Sequence, residues 1–179
     1  MNIAGINLKV LVMDTDFYAL QAINSYLAWD RRTRVIDLCE SIDAMWSVIQ
    51  RAPLAEQPDI VLLDSDHVGG AAALRLTIDR LRQTIPNVIV ICLAQFPDPM
   101  LIEAAALAKA RGFFLKGDVR LQIAWAIVFA LDHEFVVSIH VSRAAERILN
   151  NSTVRVTSLP RRREYPELTE RIRQAIELC

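Results

Sequence analysis

Three short aliphatic runs in this 179-residue chain each end on side chains able to do chemistry. Leu8–Met13 (LKVLVM) runs into Asp14, Thr15 and Asp16; residues 60–63 run into Asp64, Ser65 and Asp66; residues 113–115 run into Lys116. Clustered carboxylates hold a hard divalent cation through oxygen, one carboxylate can accept a phosphoryl group, and a lysine can neutralise the charge that develops. These residue types therefore point to phosphoryl chemistry, on condition that the fold brings them together. Taken singly, an acid after a buried strand can equally serve as the cap of the next helix.

The elements that must position them follow from the same runs. Residues 8–13, 35–39, 60–63, 88–93 and 113–115 are apolar without alternation, as expected of strands covered on both faces and hence parallel. Helical spacing fills the intervals at 17–29, 44–52, 72–85, 100–110 and 119–132, with Pro53, Pro58, Pro86 and Gly112 as punctuation. Alternating βα units of this size predict an α/β fold, a doubly wound five-stranded parallel sheet in the order 2-1-3-4-5. In that order strands 1, 3 and 5 end side by side, which would converge Asp14, Asp64 and Lys116 on one pocket at the carboxyl ends of the strands.

Composition bounds the class. Charged residues make up 23% and hydrophobic ones 53%, with a net charge of −1, which excludes a disordered chain and one coated by nucleic acid over its whole surface. Cys39, Cys92 and Cys179 are odd in number and widely spaced, so neither a disulfide framework nor a zinc site is indicated, and a reducing compartment is expected. The longest wholly apolar stretch, 123–131, is about half a bilayer span, and Lys9 and Asp14 come too early for a signal peptide, so the expectation is cytoplasmic with no membrane contact. After Asp132 the texture changes to a short helical pattern at 142–150, turn and extended character at 151–160, a basic run at 161–163 and an amphipathic stretch, 168–179. That run of arginines reads as a solvated linker.

Over about residues 7–133 the chain resembles the receiver domains of bacterial two-component response regulators. The resemblance is carried by VLVMDTD at the first strand, PDIVLLDSDHVGG at the third and ARGFFLKGD at the fifth. It implies a flavodoxin-like receiver fold with Asp64 as phosphoacceptor, Asp14 at the first acidic position of the metal pocket, Lys116 as the pocket lysine and Phe113 as the aromatic switch. Two positions depart from the pattern. Thr15 stands where the second acid is expected, and Ala94, in ICLAQF, stands where a hydroxyl contacts the phosphoryl group. One carboxylate fewer weakens a hard-cation site, and alanine cannot hydrogen-bond a phosphoryl oxygen. The implied Mg²⁺ binding is weak or absent, with Asp14, Asp64 and, weakly, Asp66 as ligands.

The segment HEFVVSIHVSRAAERILN is similar to the linker of LuxR/NarL-type regulators, and LTERIRQAIELC to the first helix of their helix-turn-helix module. The implied organisation is a receiver-like domain at 1–133, and a linker with the start of a truncated effector domain at 134–179. DNA would be contacted only through a domain beyond Cys179, and a sensor histidine kinase would act upstream. The helix at 119–132 is apolar nearly all round. With Ile123, Ile127 and Ala130 facing the sheet, Trp125, Val128 and Phe129 point elsewhere, to be covered either by Val136, Val137, Ile139 and the tail folding back or, as the favoured expectation, by a homodimer interface built from this fifth helix and helix 1 or 4. His67, His133 and His140 read as loop or surface residues. The competing class is a haloacid-dehalogenase-like phosphatase using Asp14 and Asp16, an enzyme that would also need a hydroxyl at Ala94 and a later acidic pair that the chain lacks. The expectation is a transcription-regulating signalling module and not an enzyme.

Overall fold

The computed structural model describes residues 7–150 and 152–160; the amphipathic stretch 168–179, the basic run 161–163 and Cys179 lie outside the described residues. The elements are β1 (Leu8–Met13), α1 (Phe17–Ala28), β2 (Thr33–Cys39), α2 (Ile42–Arg51), β3 (Ile60–Asp64), α3 (Ala71–Thr84), β4 (Ile89–Ala94), α4 (Pro99–Leu107) and β5 (Gly112–Leu115). They continue with α5 (Lys116–Val119), α6 (Ile123–Ala130), β6 (Phe135–Val137), α7 (Ser142–Leu149) and β7 (Val156–Ser158). Local chemistry sets the boundaries. Asp16 caps α1, Ser41 caps α2, and Asp98 with Pro99 opens α4, each cap side chain accepting backbone N–H groups that the first helical turn leaves unpaired.

All strands are parallel, in the order β2-β1-β3-β4-β5-β6-β7. The expected doubly wound order is present, but the count is seven strands and not five. The stretch after Asp132, expected as a linker with a short helix at 142–150 and extended character at 151–160, supplies β6 and β7. Without them β5 would be an open edge. Val136 pairs with Gly112 and Val137 with Phe113, and α7 is the crossover that returns the chain to lay β7 beside β6.

Two apolar layers sandwich the sheet. On one face α1 and α6 bury Leu20, Ile23, Leu27, Ile123 and Ile127 against Val10, Leu62, Leu93 and Phe114. On the other, α2, α3, α4 and α7 bury Met45, Ile49, Leu74, Ile78, Ile102 and Ala145 against Leu11, Leu63, Cys92 and Phe113. Burial on both faces is the physical reason the strands carry no polar alternation.

The fifth helix differs from the continuous 119–132 expected. A single turn, α5, ends at Arg120, whose φ of 26° breaks the helix, and a 3₁₀ turn over Arg120–Gln122 leads into α6. Trp125, Val128 and Phe129 are only half-buried on α6, and Trp125 and Phe129 pack against the inner layer. Phe129 meets Trp125 in a tilted contact with ring centroids 5.5 Å apart and stacks on His133 at 4.2 Å. His133 is thus part of an aromatic ladder, which the sequence reading did not anticipate.

Candidate functional site

The ends of β1, β3 and β5 bring Asp14, Asp64 and Lys116 into contact. Both carboxylates are fully buried, and Lys116 Nζ lies 2.7 Å from Asp14 Oδ2 and 3.3 Å from Asp64 Oδ1. The Asp16 amide donates to Asp14 Oδ1 at 3.0 Å, and the Asp66 amide to Asp64 Oδ1 at 3.3 Å. Thr15 Oγ1 donates to Asp64 Oδ2 at 3.3 Å. Burial pushes the Asp14 carboxyl above its ordinary value, against the pull of the Lys116 ammonium and the Asp16 amide. Burial by itself would lower Lys116, but its hydrogen bond to Asp14 and the charges of Asp64 and Asp14 outweigh it and hold the ammonium above its usual range. Lys116 is therefore the charge that two buried acids depend on.

The fourth contact to Asp64 is the one the sequence reading missed. His67, expected as a loop or surface residue, has Nδ1 at 2.7 Å from Asp64 Oδ2, although its side chain remains 59% exposed. The loop that carries it is pinned at its start, where Ser65 donates to the Leu93 carbonyl through both its amide, at 2.8 Å, and its hydroxyl, at 2.9 Å. It turns at Gly69 and Gly70, whose φ angles of 94° and 92° suit glycine and are strained for other residues. The signal available in the sequence was the DSDH spacing, which places a histidine three residues after the strand-end acid.

The other expected site residues are distributed as follows. Asp16 uses its carboxylate to cap α1 by accepting from the Tyr18 and Ala19 amides, so the Asp14/Asp16 pair a phosphatase would need is not assembled. Asp66 lines the mouth with Asp16, His67, Gln95, Phe96, Asp98 and Lys116, but its Oδ2 accepts the Gln95 amide at 2.6 Å. Ala94 is buried at the end of β4 and offers no hydroxyl. Phe113 is completely buried in the layer under α4, between Cys92 and Val137 on the neighbouring strands.

A divalent cation such as Mg²⁺ takes about six oxygen ligands, most of them water or carboxylate. Here two carboxylates face the pocket; three of their four oxygens accept hydrogen bonds from amide, hydroxyl or imidazole groups, and the fourth, the buried Asp14 Oδ2, has only the Lys116 ammonium beside it at 2.7 Å. Among the described residues no group of three or more acidic, histidine or cysteine side chains is placed to hold a metal. The residues as arranged do not fit that ion. The arrangement is a buried acid pair bridged by one lysine.

Two further contacts tie this site to the added strands. The Leu115 amide, one residue before Lys116, donates to the buried Ser138 Oγ at 3.0 Å. His140, expected as a loop or surface residue, is exposed and sets its Nδ1 2.5 Å from Asp118 Oδ1 in the turn that begins at Lys116.

No protein-family model matches the chain, and no curated protein matches it. Solved structures do. The signal receiver domain of the response regulator NarL from Mycobacterium tuberculosis is 21% identical over 72% of this chain and 98% of its own, with a TM-score of 0.59. A response regulator from Thermotoga maritima is 23% identical over 71% of this chain and 99% of its own, with a TM-score of 0.59. An RcsB response regulator from Salmonella typhimurium, in a study of its interaction with DNA, is 18% identical over 97% of this chain and 78% of its own, with a TM-score of 0.66. The chain therefore has the fold of response-regulator receiver domains. No described helix is long and apolar enough to cross a membrane.

Proposed function

We propose that this chain is an atypical response-regulator receiver module that controls an attached DNA-binding domain through homodimerisation, and that it does so in the cytoplasm without conventional phosphorylation of Asp64. The observation that carries this reading is the pairing of receiver geometry with an incomplete receiver site. Asp14, Asp64 and Lys116 meet at the strand ends, yet Ala94 has no hydroxyl, Thr15 stands where the resemblance expects an acid, and both Asp64 oxygens are already engaged. A phosphoryl group on Asp64 would find Lys116 and Thr15 but no hydroxyl at position 94, and little or no help from Mg²⁺. Any sensor histidine kinase upstream would therefore be a weak input.

The related structures support the wider architecture, since one solved form of RcsB consists of dimers bound to DNA. In this chain the effector would begin beyond Pro160, with residues 134–160 belonging to the receiver sheet rather than to a free linker. Dimerisation through α6, using Trp125, Val128 and Phe129, finds its partner surface more readily on α1 than on α4. Phe17, Tyr18 and Trp29 are exposed at the two ends of α1, which packs beside α6, whereas α4 is flanked by α3 and α7. Sedimentation of the full chain tests the reading. A dimer of equal affinity is expected in the wild type, in Asp64→Ala, and in wild type treated with acetyl phosphate and Mg²⁺. Assembly that appears only with the phosphodonor, or a monomer under all three conditions, would overturn it.

A further inference from the structure

We propose that His67 seals the acid pocket: its Nδ1–H occupies the Asp64 oxygen that a divalent cation or an incoming phosphoryl group would need, so that the site is closed by the chain's own side chain. This rests on the receiver reading above and specifies how that pocket is regulated.

A carboxylate offers about four lone-pair sites. On Asp64 all are occupied: Lys116 Nζ and the Asp66 amide serve Oδ1, while Thr15 Oγ1 and His67 Nδ1 serve Oδ2. Of these four contacts the one from His67, at 2.7 Å, is the shortest, the others lying at 3.3 Å. Burying a carboxylate is costly unless its oxygens are paired, and the imidazole supplies the shortest part of that pairing. The other groups around the mouth are committed elsewhere. Asp16 and Asp98 cap helices and Asp66 accepts the Gln95 amide, so none of them competes for His67.

Position and exposure make His67 a latch and not a core residue. Its backbone lies in the loop between Ser65, anchored on the Leu93 carbonyl, and the paired glycines at positive φ, while more than half of its side chain faces solvent. It can leave the Asp64 oxygen by rotating outward, without repacking either apolar layer. The lid of the pocket is then one side chain, and opening it exposes Asp64 Oδ2 next to Lys116.

Mn²⁺ binding to the full chain, read by the loss of free-ion electron paramagnetic resonance signal, tests this in wild type, His67→Ala and His67→Asn. Losing one charge-assisted hydrogen bond corresponds to a change of about 10- to 100-fold in a competing equilibrium. His67→Ala should bind Mn²⁺ at least about tenfold more tightly than wild type. His67→Asn, whose Nδ2 can stand where the imidazole Nδ1 stood, should stay close to wild type. Matching melting curves will show that both variants fold. An alanine variant that binds no more tightly, or an asparagine variant that behaves like alanine, overturns the seal while leaving the receiver reading intact. If the alanine variant binds Mn²⁺ tightly but the full chain sediments as a monomer with and without acetyl phosphate, the seal stands and the receiver reading fails.

Discussion

Replacing Lys116 by Met removes the ammonium from between two buried carboxylates while keeping most of the side-chain volume. Asp14 and Asp64 have no solvent exposure and Lys116 only 13%, so water cannot stand in for the lost charge. Removing one partner from a buried ion pair costs about 3–5 kcal/mol, mainly because the remaining charge is left uncompensated. For a chain of this size each kcal/mol moves the melting temperature by about 2–4 °C, so a drop of roughly 6–20 °C is expected for Lys116→Met. Urea and thermal unfolding followed by circular dichroism will measure it. Asp14→Asn should be far milder, because burial already pushes the Asp14 carboxyl up and the substitution removes a desolvated charge. The double variant should therefore recover much of the loss, with a coupling of about 1–3 kcal/mol between the two sites. A Lys116→Met protein within about 1 kcal/mol of wild type, or strict additivity in the cycle, would refute the argument that the acids depend on this lysine.

The pH dependence of stability carries the same signature. Lys116 is held above its ordinary value of 10.5, so its stabilisation is complete below that pH and is lost as pH rises through the folded-state value. Wild type should lose stability in that alkaline range by a margin that Lys116→Met lacks, as read by urea midpoints. Burial pushes the Cys39 thiol up to about 11, with the charge of Asp37 adding to it, and burial raises Cys92 still further. Peptide mapping after a short pulse of iodoacetamide should find both unmodified in native protein and modified in urea. Gly112→Ala would place a Cβ 2.9 Å from the Val136 carbonyl and 3.0 Å from the Phe114 ring. A destabilisation of about 1–3 kcal/mol is expected from that overpacking at the β5–β6 junction, and an unchanged urea midpoint would contradict it.

The parts of the fold legible in the sequence were those encoded by long local patterns. Aliphatic runs identified β1 to β5, and the sheet order that follows from alternating βα units correctly brought Asp14, Asp64 and Lys116 together. What escaped has a physical explanation in each case. β6 and β7 are three residues long, too short for any period to register, and exist because they satisfy the edge of β5. The break at Arg120 carries no proline or glycine at the site itself, so no local breaker residue marked it. His67 and His140 acquire their partners through loop closure, which sequence spacing does not fix, and Ser138 meets the Leu115 amide only because β6 joins the sheet. Local pattern thus specified the scaffold, and contacts between segments specified the state of the pocket.

The central claim is that Asp64 sits in a receiver pocket its own neighbours keep closed. It is tested most directly by incubating the chain with acetyl phosphate and Mg²⁺, trapping any aspartyl phosphate with borohydride, and mapping the peptide that contains Asp64. The account predicts no reduced product at Asp64 in wild type and its appearance in His67→Ala. Stoichiometric trapping at Asp64 in the wild-type chain would contradict it.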